Sequence, residues 1–256
     1  MTLKEMMLIE EAEHPSDTFA DCVKGEGYTA FYFDECKELW GGNHAIIYPD
    51  KIKNLAHTLE EVKEFYAQRQ KEAAIFHPLA EEHYHYFEEN KDIIEACGYE
   101  LKLFDDYRFL ALTGENMIKR GGLIEIRLLD RWDDRIGNDI IIPCGERHEL
   151  ASTKKSVAKK GNFLFAGYVK EKAVVYCHIH KSRRFDCVRC DYILCAKDQR
   201  GKGYGGEMMS YVADYCRGNG LNNVFHWAGP SESIVRKVGF CDVFTARAGR
   251  INAALK

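Results

Sequence analysis

Apolar positions along this chain switch between a period of two and a period near 3.6, and the switches lay out its elements. Residues 29–33 and 45–48 alternate as strands on either side of the turn Trp40-Gly41-Gly42-Asn43. Leu59, Val62, Phe65 and Tyr66 fall at helical spacing. A short apolar strand at 73–76 precedes a helix over about 79–97, which stops at Gly98. Residues 101–104 and 108–112 read as a closing hairpin. After turn-rich stretches at 113–116 and 119–122 the pattern resumes with a strand at 123–128. Helices follow near 131–136 and 146–160, then a hairpin of 162–169 and 173–180 about Lys170-Glu171-Lys172. A strand at 188–195 leads through a glycine-rich loop into a helix over about 205–217. A strand at 223–228, a helix at 231–238 and one or two strands from Cys241 complete the order. Antiparallel strands running into a strand–helix–strand crossover predict an α/β fold, a mixed sheet with helices on its faces.

Length and composition narrow this picture. A chain of 256 residues with 46% hydrophobic content can build two modest cores, divided at the turn-rich seam into 1–118 and 119–256. No apolar run approaches the roughly 20 residues that span a bilayer, and the acidic start (Glu10, Glu11, Glu13) lacks a signal-peptide core. A soluble, cytoplasmic protein without membrane contact is expected, its ten cysteines reduced. The net charge of −4, with signs mixed, disfavours nucleic acid as a partner. Lys154, Lys155, Lys159 and Lys160 read as the solvated face of a helix. A homodimer is only the general expectation for a soluble protein.

The most informative segment is Arg200-Gly201-Lys202-Gly203-Tyr204-Gly205-Gly206, between a strand and a helix. Glycines let the main chain approach a ligand closely, and a helix start offers unpaired N–H groups at the positive end of its dipole. Such a loop suits a pyrophosphate, with Arg200 and Lys202 adding charge-assisted contacts. A dinucleotide fingerprint would follow the first strand of a parallel sheet, and a Walker loop would end in Gly-Lys-Ser/Thr. Neither holds here.

Asp191-Tyr192-Ile193-Leu194-Cys195 followed by this loop resembles the central motif of the GNAT N-acetyltransferases, R/Q-x-x-G-x-G/A. Val235-Arg236-Lys237-Val238-Gly239-Phe240 resembles that family's later Y-x-K-x-G-F pattern without its tyrosine. The resemblance runs from Leu123 to about the C-terminus. It implies a GNAT acyl-CoA N-acyltransferase fold with acetyl-CoA as co-substrate and an amine of a small molecule or peptide as acceptor. It also implies direct attack in a ternary complex. By the same resemblance the main chain of Ile193, Leu194 and Cys195 would pair with the pantetheine arm. The amides of Gly201 to Gly206 would hold the pyrophosphate, and an N–H near Leu194 or Cys195 would face the thioester carbonyl. The N-terminal half resembles the same layout in degenerate form, with Cys97-Gly98-Tyr99 as its helix end and no glycine cradle.

Amine acylation needs a proton acceptor, because an ordinary ammonium has a pKa near 10. Asp191 is the first candidate; His178 and His180, on one face of the preceding strand, stand behind it. Val235 replaces the family's tyrosine acid and Ala228 an asparagine that touches the cofactor, so a different acid, Tyr204 or Tyr192, or none at all, must serve. These departures also motivate a different class, a non-catalytic acyl-CoA-binding regulator. Cys187-x-x-Cys190 has finger-like spacing, but strand positions three apart face opposite ways and no second pair follows, so no metal is expected. His83 and His85 fall on different faces of a helix.

Overall fold

The computed structural model describes residues 1–79 and 81–253. The chain runs α1 (Leu3–Thr18), β1 (Asp21–Gly25), β2 (Tyr28–Tyr32), β3 (Ala45–Ile47), α2 (Leu55–Ala67), β4 (Ala74–Leu79), α3 (Glu81–Glu89), α4 (Lys91–Ala96) and β5 (Tyr99–Leu112). It continues with β6 (Glu125–Leu129), α5 (Asp134–Ile136), a π-helical turn (Gly137–Ile141), α6 (Ile142–Cys144), α7 (Arg147–Val157), β7 (Asn162–Val169), β8 (Lys172–Lys181) and β9 (Val188–Cys195). The last elements are α8 (Tyr204–Gly218), β10 (Val224–Trp227), α9 (Glu232–Lys237) and β11 (Phe240–Ala253).

Contacts divide the chain into two compact units, one of Met1–Met7 with Arg108–Phe244 and one of Leu8–Tyr107 with the chain from Thr245 on. They differ from the contiguous stretches 1–118 and 119–256, because β5 and β11 are each shared between the units without a turn.

In the unit containing α8, the strand order is β6-β7-β8-β9-β10-β5. β6 to β9 are antiparallel neighbours, β9 and β10 are parallel across the α8 crossover, and β10 is antiparallel to β5. The β7–β8 reversal puts Lys170 and Glu171 at φ 48° and 65°, the left-handed region a tight hairpin demands. One sheet face carries Val175, Cys177, Ile179, Val188 and Cys190 against Met208, Met209, Val212 and Cys216 of α8. The other carries Leu164, Ala166, Tyr168 and Tyr176 against Ile136, Ile140 and Ile141.

The second unit repeats this topology. β1, β2 and β3 are antiparallel, β3 and β4 are parallel across α2, and β11 lies beyond β4. Leu59, Val62 and Tyr66 of α2 pack on Ala45, Ile47 and Ile75. The two α/β units thus bear out the expected mixed sheet.

Three expectations need correction. α1 and β1 were not foreseen, because α1 sinks Glu10 and Glu11 into the fold; the Tyr107 hydroxyl donates to Glu11 Oε1 at 2.7 Å. The hairpin expected over 101–112 is one 14-residue strand, β5. Asp105 there pairs with Arg247 at 3.4 Å rather than forming a turn. The helix expected over 79–97 is two, broken at Asn90. His83 lies in α3, and its side chain is outside the described residues.

Buried Glu207 on α8 accepts from the Leu123 amide at 2.9 Å and the Gly121 amide at 3.3 Å, tying the chain before β6 to the helix. Glu207→Ala should therefore cost about 1–3 kcal/mol, the penalty for stranding such donors. Chemical denaturation checks this; an unchanged midpoint would show the carboxylate to be dispensable.

Candidate active site

The site begins where two parallel strands separate. β9 and β10 pair only at Val188↔Val224 and Arg189↔Phe225. Past that point β9 stays on β8 as far as Cys195↔Val175, and β10 stays on β5 through Trp227↔Phe109. The Ala228 amide also turns to the Arg108 carbonyl of β5, at 2.9 Å. The β10-facing edge of β9 beyond Arg189, which includes the half-buried Ile193, Leu194 and Cys195, is thus left without a strand partner.

At the parting point β9 carries a bulge. Ile179 pairs with Cys190 and His178 with Tyr192, so Asp191 is the extra residue. The bulge shifts the side-chain alternation by one. Val188, Cys190, Ile193 and Cys195 face α8, while Tyr192 and Leu194 join the opposite cluster. Asp191 faces away from α8, as Arg189 does, in phase opposite to Cys190.

The loop after β9 ends in α8. Gly201 and Gly203 take φ 79° and 85°, conformations a side chain would strain, and Gly203 caps the helix without any side-chain hydrogen bond. Among the described residues the amides of Gly201, Lys202, Gly203, Tyr204, Gly205 and Gly206 donate to no carbonyl. A Cβ at Gly205 would meet Cys195 Sγ at 3.2 Å and Ile234 Cδ1 at 3.3 Å, so a side chain there would crowd the loop. Arg200 Nε lies 3.4 Å from the Cys195 carbonyl, and Lys202 reaches Gln199 at 2.7 Å. In the second unit the equivalent helix start, α2, is closed by its own Asn54 side chain, which accepts from the His57 amide. The α8 start, unlike that of α2, has no side-chain cap; its Gly205 amide is turned to the Cys195 sulfur, and the other amides of the loop form a set of donors suited to a diphosphate.

Asp191 is placed in a dense polar cluster. Its Oδ2 lies 3.0 Å from His178 Nδ1 and 2.9 Å from His180 Nδ1, and Arg189 pairs with Oδ1. His178 Nε2 in turn lies 3.0 Å from Asn162 Oδ1. Burial holds His178 down to about 3, with the neighbouring His180 adding to the effect, so its imidazole is neutral and a weak base near pH 7. The structure brings Asp191, His178 and His180 together. Tyr204 opens α8 and packs with the cluster on that side of the sheet, so it and Asp191 lie on opposite faces.

One carboxylate was missed by the sequence reading. Glu149 of α7 is half-buried, and burial raises its carboxyl above the ordinary range despite a 3.1 Å bond from the Ser152 hydroxyl. It exerts its field on Tyr192 and Tyr176, whose hydroxyls are pushed up first by burial and then by neighbouring charge. Glu149, Ser152, Thr153 and Ser156 form an i, i+3, i+4, i+7 stripe, of which the last three are buried. A polar stripe at that spacing was the available signal. Lys154, by contrast, is exposed and pairs with Asp134 at 3.5 Å, as a solvated face requires.

On the α8 side, Cys177 donates toward Cys190 and this, with His226 nearby, draws the Cys190 thiol well below its usual range against the pull of burial. Cys177 is raised by the same bond and by burial. Among the described residues no cluster of three or more His, Cys, Asp or Glu side chains could hold a metal ion. No helix among them is long and apolar enough to cross a membrane.

Parted parallel strands, a bulge at the parting point and a glycine-opened helix start define the GNAT class of fold. Residues 132–240 match the model of the Acetyltransferase (GNAT) family, and this stretch of the chain is a GNAT domain. Among solved structures, the chain is similar to a GCN5-related N-acetyltransferase from Kribbella flavida, with TM-score 0.66 and 11% identity over 100% of this chain and 96% of that one. A functionally unknown conserved protein from Staphylococcus epidermidis gives TM-score 0.59 and 11% identity over 100% and 98%. A GCN5-related N-acetyltransferase-like protein from Streptococcus suis gives 0.53 and 12% over 96% and 97%. At these identities the likeness is one of fold, and it spans both units. No curated protein matches the sequence.

His178 supplies a pH test. Its folded pKa lies below the unfolded value near 6.5, so the unfolded chain binds the proton first and stability is lost as pH falls from about 6.5 toward 3. His178→Gln should flatten that slope by up to about 1.4 kcal/mol per pH unit. Denaturation midpoints at pH 7, 6 and 5 measure this; parallel slopes would mean the imidazole is protonated in the fold.

Proposed function

We infer that the chain is an N-acyltransferase that moves an acetyl group from acetyl-CoA to a primary amine of a small molecule or peptide, by direct attack in a ternary complex. The observation that carries this is the pairing of an unpartnered β9 edge with a bare amide cradle at the α8 start. The main chain of Ile193, Leu194 and Cys195 would take the pantetheine arm as a strand takes a neighbour. The amides from Gly201 to Gly206, with Arg200 and Lys202, would take the diphosphate. An N–H of β9 near Leu194 or Cys195 would face the thioester oxygen, where such a donor lowers a barrier by about 3–4 kcal/mol.

The amine must lose a proton to attack. Glu149 is the better acceptor, since burial raises its carboxyl above the ordinary range and its partners are few, the Ser152 hydroxyl on one oxygen and His148 Nε2 at 3.7 Å from the other. Asp191, occupied by two histidines and an arginine, is assigned to holding the bulge and the face beside it. Tyr204 is assigned to the cradle. Val235 is fully buried in the α8-side core, where it supplies no proton donor. The second unit, its helix start already capped by Asn54, would hold no cofactor of its own.

Calorimetry with acetyl-CoA, joined to CoA release against a panel of amines, tests this. Wild-type protein should bind and turn over, and Gly203→Asp should abolish the heat by placing a charge and a strained side chain in the cradle. Glu149→Gln should bind acetyl-CoA as wild type does and lose about 10²–10⁴-fold in kcat. Binding without turnover of any amine would instead mark a regulator that senses acyl-CoA.

A further inference from the structure

The acyl-transfer step leaves a thiolate, and the usual tyrosine position holds a buried valine. A second buried constellation lies at the parting point. His226, the third residue of β10, is 6% exposed. Its Nδ1 lies 2.8 Å from the Cys190 carbonyl, and its Nε2 lies 2.9 Å from Ser231 Oγ. A carbonyl can only accept, so Nδ1 carries a hydrogen and the ring orientation is fixed. Cys190 is the first β9 residue past the last β9–β10 pair, so the imidazole satisfies the carbonyl that β10 abandons. The remaining nitrogen is aimed at one hydroxyl. The order is that of an oriented imidazole and its partner hydroxyl, with a main-chain oxygen as the orienting group.

Ser231 stands at the N-cap position of α9, where its hydroxyl makes no capping bond, and is half-buried. Ile234, in the first turn of that helix, lies within 3.3 Å of where a Gly205 Cβ would be, so the start of α9 sits against the cradle. Ser231 is thus held between the parting point and the pyrophosphate loop, the interval a pantetheine arm would span. The α9 start is further fixed by a two-pronged bond of Arg108 to Glu232, at 3.0 and 2.6 Å.

The geometry points to Ser231 as the acid that protonates the departing CoA sulfur, resupplied by His226 as a positioning and relay residue. This rests on the acyltransferase reading above. As the tetrahedral adduct collapses, the C–S bond breaks and its electron pair goes to sulfur. The Ser231 Oγ–H proton passes to sulfur, and Ser231 Oγ takes the Nε2 proton of the His226 imidazolium. His226 remains neutral with its Nδ1 hydrogen, and solvent restores the Nε2 proton before the next turnover. Burial alone would lower the His226 pKa, but its bonds and charge interaction with Cys190 outweigh that and the net shift is upward. The groups facing the ring are Cys190 and Arg189 of β9, Ser231 of α9 and the Phe240 ring of β11, with Cys177 behind Cys190.

The test uses full-length wild type, Ser231→Ala, Ser231→Thr and His226→Gln. Each is titrated with acetyl-CoA by calorimetry and assayed for CoA release from pH 6 to 9 with an amine the wild type accepts. Ser231→Ala should bind acetyl-CoA within about twofold of wild type and lose about 10²-fold in kcat, and Ser231→Thr should restore most of it. In wild type kcat should fall as rising pH discharges His226, and His226→Gln should remove that basic limb. A Ser231→Ala kcat within twofold of wild type overturns the relay while leaving the acyltransferase reading intact. So does equal loss in the Ala and Thr variants. Wild-type protein that binds no acetyl-CoA, or binds it without turnover, overturns the underlying reading and the relay with it.

Discussion

The parting of β9 from β10 after two paired residues is the constraint on which the site depends. Each strand keeps its outer neighbour, β8 for one and β5 for the other, so neither can close the gap without giving up an established ladder. A strand edge with unmet main-chain groups is costly when dry and is stabilised by a ligand that presents matching amide groups. Pantetheine, with its two amides, has that chemistry. The helix that begins at Gly203 places bare N–H donors at the end of the same strand, where the negative portion of such a ligand would fall.

The sheet separates two chemical environments. On the face turned from α8 lie Asp191, His178, His180 and Arg189, with Glu149 and the polar stripe of α7 on that side. Interlocked bonds hold the first four in place, and a carboxylate so engaged orients better than it accepts a proton. On the α8 face lie Cys177, Cys190 and His226, buried around the parting point. Proton removal on the acceptor side and proton delivery on the sulfur side would then fall to different groups, Glu149 and His226, each held above its ordinary pKa by its surroundings.

What the sequence made legible was local. The glycine loop, the strand before it and the helix after it are written in consecutive residues, and β9 and α8 fell where periodicity placed them. The bulge at Asp191 was not legible, because it exists only in the register of β9 against β8. Nor was the role of His226, which depends on β10 diverging at that residue. Glu149 was passed over because an acidic residue in a lysine-rich helix reads as solvent-facing; the serines and threonine at its spacing were the overlooked sign. β5 was split into a hairpin because Asp105-Asp106 mimics a turn, and only partners distant in sequence keep it straight. The second unit repeats the topology without the cradle, a difference visible in the sequence as an asparagine cap where the first unit has glycines.

Amide hydrogen exchange followed with and without coenzyme A bears most directly on the central claim. Slowed exchange should be confined to 193–195 and 201–206, the strand edge and the helix start, with β8 and β5 unchanged. Unaltered exchange in both segments at saturating coenzyme A, or protection confined to the α2 start instead, would contradict it.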